Sequence, residues 1–470
     1  MSKKRNDQRQ LALKQLVERF ERALTQQQVS FLSEEQFDDL LEYYYSQGDY
    51  DRTLYLADLA ISQHTFTPEF YKWKALIHKI NLEEEDALET LEKLSIYAPN
   101  DEESSMLRLE VLIHFEKTAE AKDLLDMMYS RVEGDQKRSL LFFFQGLLLV
   151  QEDNYEGAWA ALLEAIDLDP YQEPALDEAL NAIEFDHLRK GLKKTFQRIL
   201  NRDPFNHLVW YYLGLWYDDR GQDYKALDAF GYARSLYQQD NRYELDYADK
   251  LFDLDRYESA LAAYKAYFNL PGAEASYETF MRMGRSYQML DQFDDAKRAY
   301  FKAVDADPNM YDTHQHLGEC FAAEAKWSIA AHHYGRAVEL AGHTAECWLG
   351  YALCLTALND PEEADIAYRR ALTLDDRYSD ATVNYAIFLA DNGREGEALK
   401  LMEGTLEVYE DANLAYGLVA VHLICGRRVQ ALQYLNDALA SYYTERDILL
   451  EWYPNLREDK EIDAIFQLHR

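Results

Sequence analysis

An all-α fold, built as a row of helix hairpins, is the class that this sequence predicts, and three observations predict it. The stretch "DQFDDAKRAYFKAVDADPN" (Asp291 to Asn309) nearly repeats "DNYEGAWAALLEAIDLDPY" (Asp153 to Tyr171), 138 residues upstream. That separation is close to four times 34. In a 34-residue register, units begin at Glu34, Pro68, Glu102, Ser139, Glu173, His207, Asn241, Tyr277, Tyr311, Ala345, Ser379 and Ala412. Within each half of a unit, apolar residues recur at helical spacing, as in "WYYLGLWY" and "ALDAFGYA" of the unit at His207.

Taken in order, residues 1–33 read as a basic tail, "MSKKRNDQR", and an N-terminal capping helix. That helix is expected over Asp7 to Gln28, with Leu13, Leu16, Val17, Phe20 and Leu24 on its apolar side. Residues 34–445 read as a tandem array of about twelve units. Counting each unit from its first residue, position 20 is Ala in ten of them, the exceptions being Thr53 and Leu192, so one packing constraint recurs along the array. Position 8 is often small, as at Gly146, Gly214, Gly284 and Gly318, which lets two antiparallel helices approach closely. Aromatic residues such as Trp210, Tyr217, Tyr224 and Phe230 fill the space around that contact. Gly48, Gly221, Gly393 and Gly426, all at position 15, sit where the first helix must stop and turn. Pro99, Pro170, Pro204 and Pro308 close the second helix. Units starting at Glu34, Glu102 and Glu173 are degenerate. Residues 446–470 read as C-terminal capping helices, two short pieces interrupted at Pro454, and no segment is left for a further domain.

The pattern resembles the tetratricopeptide repeat family. The residues that carry the resemblance stand best as Trp210, Leu213, Gly214, Tyr217, Ala226, Phe230 and Ala233. The resemblance covers Glu34 to about Glu445. It implies an α-solenoid, a right-handed superhelix whose concave groove is lined by the first helix of each hairpin, mainly at positions 2, 5, 9, 12 and 13. One hairpin cannot bury its apolar face alone, so each unit covers its neighbour. The family's carboxylate-gripping site is missing here: Lys72 at position 5 is followed by Leu76 at 9 and Leu107 at 6 of the next unit.

Composition narrows the function classes. Lys and Arg number 49 against 85 Asp and Glu, a net charge of −36, which repels phosphate backbones and disfavours a nucleic-acid partner. The most apolar run, "LLFFFQGLLLV" (Leu140 to Val150), is far short of the roughly 20 residues needed to span a bilayer. Four cysteines without a CxxC pair, and no secretory leader, fit a cytoplasmic chain. Phosphate-loop, nucleophile-elbow, zinc-protease and dinucleotide motifs are all absent, so an enzyme and a cofactor are not expected. His314, His316, Cys320, His332, His333, His343, Cys347 and Cys354 concentrate in one stretch. Cys320, Cys347 and Cys354 fall in columns where the resemblance implies small buried residues, and His314 takes an aromatic slot, so core packing is preferred to metal binding.

Three groove features stand out. In the unit at Ser139, groove positions carry Leu140, Phe143, Leu147 and Val150, and with Phe142, Phe144, Leu148 and Leu149 this helix is apolar nearly all round. Either neighbouring units cover it or a partner does, and simple burial is favoured. The middle units add an acidic and aromatic lining: Asn181 and Glu184, then Tyr211, Leu215 and Asp218, then Asp246 and Asp249. Arg282, Arg285 and Gln288 follow, and the arginines are placed to pair with those acids. Such a lining suits a basic or amphipathic protein segment. Leu349, Leu353, Val383, Ile387 and Tyr416 make the distal groove apolar, where packing of the chain's own C-terminal helix is preferred. The reading is a non-enzymatic protein-binding scaffold. A self-assembling homo-oligomer and, less favoured, an RNA-binding repeat protein stay open.

Overall fold

The computed structural model describes residues 2–26, 31–181, 189–453, 456–457 and 459–469. Among them the chain forms 27 α-helices and no strand. None of these helices is long and apolar enough to cross a membrane. The chain divides into two compact units, Met1–Tyr237 and Gln238–Arg470.

Unit 1 runs α1 (Ser2–Thr25), α2 (Glu34–Ser46), α3 (Tyr50–Gln63), α4 (Pro68–Ile80), α5 (Glu84–Tyr97), α6 (Glu102–His114), α7 (Thr118–Tyr129), α8 (Asp135–Gln151), α9 (Tyr155–Leu168), α10 (Glu173–Asn181), α11 (Arg189–Arg202), α12 (His207–Asp218) and α13 (Asp223–Leu236). Unit 2 runs α14 (Asn241–Asp253), α15 (Tyr257–Tyr267), α16 (Tyr277–Met289), α17 (Phe293–Ala306), α18 (Tyr311–Ala323), α19 (Trp327–Leu340), α20 (Ala345–Ala357), α21 (Pro361–Leu374), α22 (Ser379–Asp391), α23 (Glu395–Leu406), α24 (Ala412–Ile424), α25 (Arg428–Tyr442), α26 (Asp447–Trp452) and α27 (Lys460–Leu468). From α2 to α25, even-numbered helices are the first of a hairpin and odd-numbered ones the second. Within each unit most first helices touch the first helix of the next hairpin, as α4 does α6 and α16 does α18, so they line the inner face of the row.

Every first helix but α8 begins at the residue where the 34-residue register begins. Helix α8 starts one turn early, at Asp135, behind Gly134 at φ 96°, so the enlarged step before Ser139 is spent on extra helix. The position-20 residues explain the register, because Ala87, Ala226, Ala260, Ala296, Ala330 and Ala364 are all fully buried. Thr53 takes the same column by donating its hydroxyl to the Asp49 carbonyl at 2.8 Å, which satisfies the one polar atom it buries there. Position 8 works with position 24. A Cβ on Gly214 would meet the Phe230 ring at 2.5 Å, and one on Gly284 would meet the Tyr300 ring at 2.4 Å. Tyr334 of α19 is held between Gly318 of α18 and Gly350 of α20, where added Cβ atoms would lie 2.8 and 2.3 Å from its ring.

Position 15 holds more than its four glycines suggest. Leu82, Glu116, Asp153, Asp255, Asp291, Ala325 and Asn359 occupy the same place in other hairpins, and all adopt φ between 56° and 61°. The following residue closes a six-to-one bond to the first helix, as Glu83 N–H does to the His78 carbonyl at 2.8 Å and Lys326 N–H to Phe321 at 2.9 Å. Each turn is a Schellman end, so the backbone dictates the left-handed residue whether or not glycine fills it.

Of the His- and Cys-rich stretch, His314, His333, Cys320, Cys347 and Cys354 are core, His316 is half-buried, and His332 and His343 are exposed. His314 and His333 stack at 5.5 Å, with one Nδ1 donating to the other across 3.2 Å, and Phe321 also stacks on His333 at 5.5 Å. Burial, reinforced by His314 and His332, pushes the His333 imidazole down to about 4. Burial likewise lowers His314. Burial pushes the Cys320, Cys347 and Cys354 thiols up to about 12, which suits packed hydrophobes rather than nucleophiles.

At the N-terminus the expected start of the capping helix is corrected: α1 is helical from Ser2, since Lys3, Lys4, Arg5, Gln8 and Arg9 of the basic run are good helix formers. It docks through buried Phe20, 6.2 Å from the Tyr44 ring, and through Glu21, which accepts from the Tyr44 hydroxyl at 2.6 Å. At the C-terminus α26 packs on α24, and the Trp452 indole donates to Asn413 Oδ1 at 3.0 Å. Leu349 and Val383 are core residues and Leu353 is exposed, while Tyr416 is fully buried and donates to the Tyr442 carbonyl. Pro454 lies outside the described residues.

Three predictions follow from packing, turns and burial. Gly350→Ala, forced against Tyr334, should cost about 2 kcal/mol in urea unfolding followed by circular dichroism. Gly396→Ala in α23, where nothing stands within 4 Å, should instead gain about 0.5–1 kcal/mol. Leu82→Gly relieves the left-handed turn at a largely exposed residue and should raise stability by up to about 1 kcal/mol, a gain that a loss of melting temperature would contradict. The unfolded His333 titrates near its ordinary 6.5 and the folded one near 4, so the unfolded chain binds the extra proton in between. Stability should therefore fall as pH drops from about 6.5 towards 4, by up to roughly 3 kcal/mol, and His333→Phe should flatten the melting curves measured between about pH 7 and 5.

Candidate functional site

The inner face of unit 1 opens into a groove of about 700 Å³. Its walls come from four successive first helices: Lys79 of α4, Glu110 and Ile113 of α6, a stripe of α8, and Pro174 and Glu178 of α10. The α8 stripe is Leu140, Phe143, Leu147 and Val150, register positions 2, 5, 9 and 12, so one helix face projects four apolar side chains into the opening. The adjoining face supplies the core through Leu141, Phe144 and Leu148, all nearly inaccessible, with Phe144 also reaching the edge of the groove. Phe142 leans on Tyr129 at 5.6 Å.

The expectation of simple burial for this helix is corrected. Phe143 and Leu147 are only half-buried, and Val150 keeps 43% of its surface exposed. The reason is spacing along the inner face. Towards the opening α6 and α10 present Glu110 and Glu178 beside the small apolar contributions of Ile113 and Pro174, and the turn after α6 adds Glu116, so no large apolar side chain closes over the stripe. Lys79 pairs with Glu110 across the floor, and Gln151 donates to the Ile113 carbonyl at 2.7 Å, fixing α8 against α6. The result is an apolar strip bordered by Glu116 and Glu178, by the Lys79–Glu110 pair and by His114.

The remaining predicted groove residues do not assemble into one open site. Asn181 ends α10 and is exposed, and Glu184 lies outside the described residues. Tyr211 is buried rather than presented, its ring 5.6 Å from Tyr212 and 5.8 Å from Phe230. Leu215 and Asp218 are half-buried on the same helix. In unit 2 the polar positions satisfy one another. Asp249 accepts from the Tyr264 hydroxyl at 2.5 Å and lies 3.4 Å from Arg282, which reaches Asp253 at the same distance. Burial pushes the Asp249 carboxyl up, against the pull of Tyr264 and Arg282. Gln288 accepts from Tyr300 at 2.7 Å and donates to Glu319 at 2.9 Å. Burial of Glu319 is outweighed by its bonds from His316, Gln288 and Gln315, which hold it below the usual carboxylate range. Arg285 stays exposed, with its guanidinium over the Phe252 ring.

Lys72 is likewise engaged, by Glu103 at 2.8 Å and Asp101 at 3.0 Å. Among the described residues one group of three side chains has metal-ligand chemistry: His78, Glu83 and Asp86, with ligand atoms within 4.8 Å of one another. His78 spends its Nδ1 on Glu83 at 2.6 Å, which accounts for the cluster as a turn-locking hydrogen bond.

Comparison with known proteins bears on the fold. Residues 321–382 match the family model described as tetratricopeptide repeat. No curated protein matches the chain. Among solved structures the chain is similar to MamA, at 24% identity over 34% of this chain and 93% of that one, with a TM-score of 0.30. It is similar to YrrB, titled a TPR protein with an unusual peptide-binding site, at 22% identity over 40% and 96%, with a TM-score of 0.35. A tetratricopeptide repeat protein from Parabacteroides merdae ATCC 43184 matches at 13% identity over 56% and 98%, with a TM-score of 0.43. The matched segment runs from the end of α18 into α22 and reads as tetratricopeptide repeat, and the hairpins on either side of it keep the same 34-residue register.

Proposed function

We propose that this chain is a non-enzymatic scaffold of about twelve hairpins that holds a basic, amphipathic helical segment of another protein in the groove of unit 1. The observation that carries this reading is the open apolar stripe of Leu140, Phe143, Leu147 and Val150 with Glu110, Glu116 and Glu178 around it. Water gains no hydrogen bond from that stripe, and an amphipathic helix laid along it buries apolar surface on both partners. The carboxylates suit cationic side chains flanking the partner's apolar face, which favours a basic segment and speeds its approach. The same carboxylates oppose a second copy of this strongly acidic chain.

The test uses the full chain and a fluorescein-labelled amphipathic Leu/Lys helical peptide, with a Ser-for-Leu peptide as the control for bulk charge attraction. Saturable anisotropy is expected for the first peptide only. Phe143→Ser with Leu147→Ser should weaken it by about tenfold or more. Glu110→Gln with Glu178→Gln should weaken it less and flatten its salt dependence. Equal binding of the wild type and both double variants would remove the groove from the function. Concentration-dependent sedimentation of the free chain, abolished by the serine pair, would replace the reading with self-assembly.

A further inference from the structure

A second opening lies on the outer side of unit 2, where α15, α16 and α17 meet, with a volume of about 540 Å³. Its floor is apolar and aromatic: Phe268 and Phe280 stack at 5.4 Å and 14°, beside Met283. Three cations stand at its edge. Lys265 Nζ lies 5.4 Å from the Tyr287 ring centre and Lys302 Nζ lies 5.3 Å from the Phe280 ring centre. Arg298 is bonded to Asp295 at 2.8 Å yet keeps 77% of its side chain exposed. All three are exposed residues, and the rings orient the two lysines over the mouth.

Unit 1 contains the same opening in the same register, between α11, α12 and α13. There, Gln197, Asp228 and Tyr232 stand where unit 2 has Lys265, Arg298 and Lys302. Tyr232 stacks on Trp210 at 4.6 Å and narrows that opening to about 390 Å³. Stacking of hairpins therefore makes the hollow, and nothing in that packing requires cations around it. Placing three of them there, in a chain with 85 acidic residues against 49 basic ones, is a choice of side chains rather than of fold.

We infer that the hollow between α15, α16 and α17 is a second docking site, for an acidic peptide segment of a partner that carries a large aromatic side chain. The aromatic ring enters over Phe268, Phe280 and Met283, and flanking carboxylates pair with Lys265, Lys302 and Arg298. The aromatic anchor supplies the apolar contact and the cations supply selection against neutral segments. The site differs from the unit 1 groove in charge preference, so one scaffold accommodates two chemically opposite segments without competition.

The probe is a fluorescein-labelled peptide with a central Trp flanked on both sides by Asp, titrated into the full chain. Saturable binding is expected. Lys265→Gln with Lys302→Gln should weaken it by about tenfold or more, as should an Ala-for-Trp peptide. Lys225→Gln, in the corresponding hollow of unit 1, and the groove pair Phe143→Ser with Leu147→Ser should leave it unchanged. Both lysines are exposed, so matching melting curves establish that the double variant is folded. No saturable binding by the wild type, or unchanged binding by the folded lysine variant, would overturn the inference.

Discussion

A Cβ on Gly318 would sit 2.8 Å from the Tyr334 ring and one on Gly350 would sit 2.3 Å from it, so one aromatic side chain sets the spacing of three consecutive helices. The same contact recurs within hairpins as Phe230 on Gly214 and Tyr300 on Gly284. Close packing of a ring onto bare backbone leaves no room for adjustment, because interiors are as dense as organic crystals. Once that spacing is set, position 20 is buried in every hairpin and is small in all but the one that carries Leu192. Position 15 must then reverse the chain within two residues. The left-handed turn follows even at Leu82 and Glu116, where the side chain resists it.

Charge is organised by the same geometry. Adjacent first helices bring inner-face positions of neighbouring hairpins side by side, and polar residues there bond across the row, as Gln288 at position 12 does to Glu319 at position 9 of the next hairpin. In unit 2 this consumes most of the inner-face acids and leaves Asp249 partly desolvated against Arg282. In unit 1 the row changes character at α8, where Leu140, Phe143, Leu147 and Val150 are apolar and only Gln151 at the end of the helix bonds across to α6. A stack that satisfies itself elsewhere is left open at one helix, and that contrast marks the groove more strongly than its volume does.

Much of the fold was legible because backbone packing repeats a demand at fixed spacing. Ala226 and Ala296 announce it, and the helix starts fall on the register that those residues define. The turns were half legible: glycine marks four of them, while Asp291 or Asn359 in the same conformation are ordinary residue types whose backbone is dictated by hydrogen bonds absent from a residue count. The site was legible only in part. Phe143 and Leu147 occupy groove positions, but whether they are covered depends on which side chains α6 and α10 extend, a contact more than 20 residues away in sequence. Tyr211 holds the same position 5 as Phe143 and is nevertheless buried, because Phe230 and Tyr212 close over it. Position alone does not decide exposure.

The outer hollow went unread for a related reason. Its cations come from two hairpins, Lys265 from one and Arg298 with Lys302 from the next, and along the chain each is a solvated charge on a second helix. Only alignment of one hairpin junction against another, with Gln197, Asp228 and Tyr232 in the same places, separates what stacking requires from what it merely permits. In a repeat protein the residues fixed by packing are the ones that recur, so chemistry specific to this chain is to be sought where the register is kept and the side chain departs from it. The apolar stripe of α8 and the lysines over Phe280 and Tyr287 are both departures of that kind, one on the inner face and one on the outer.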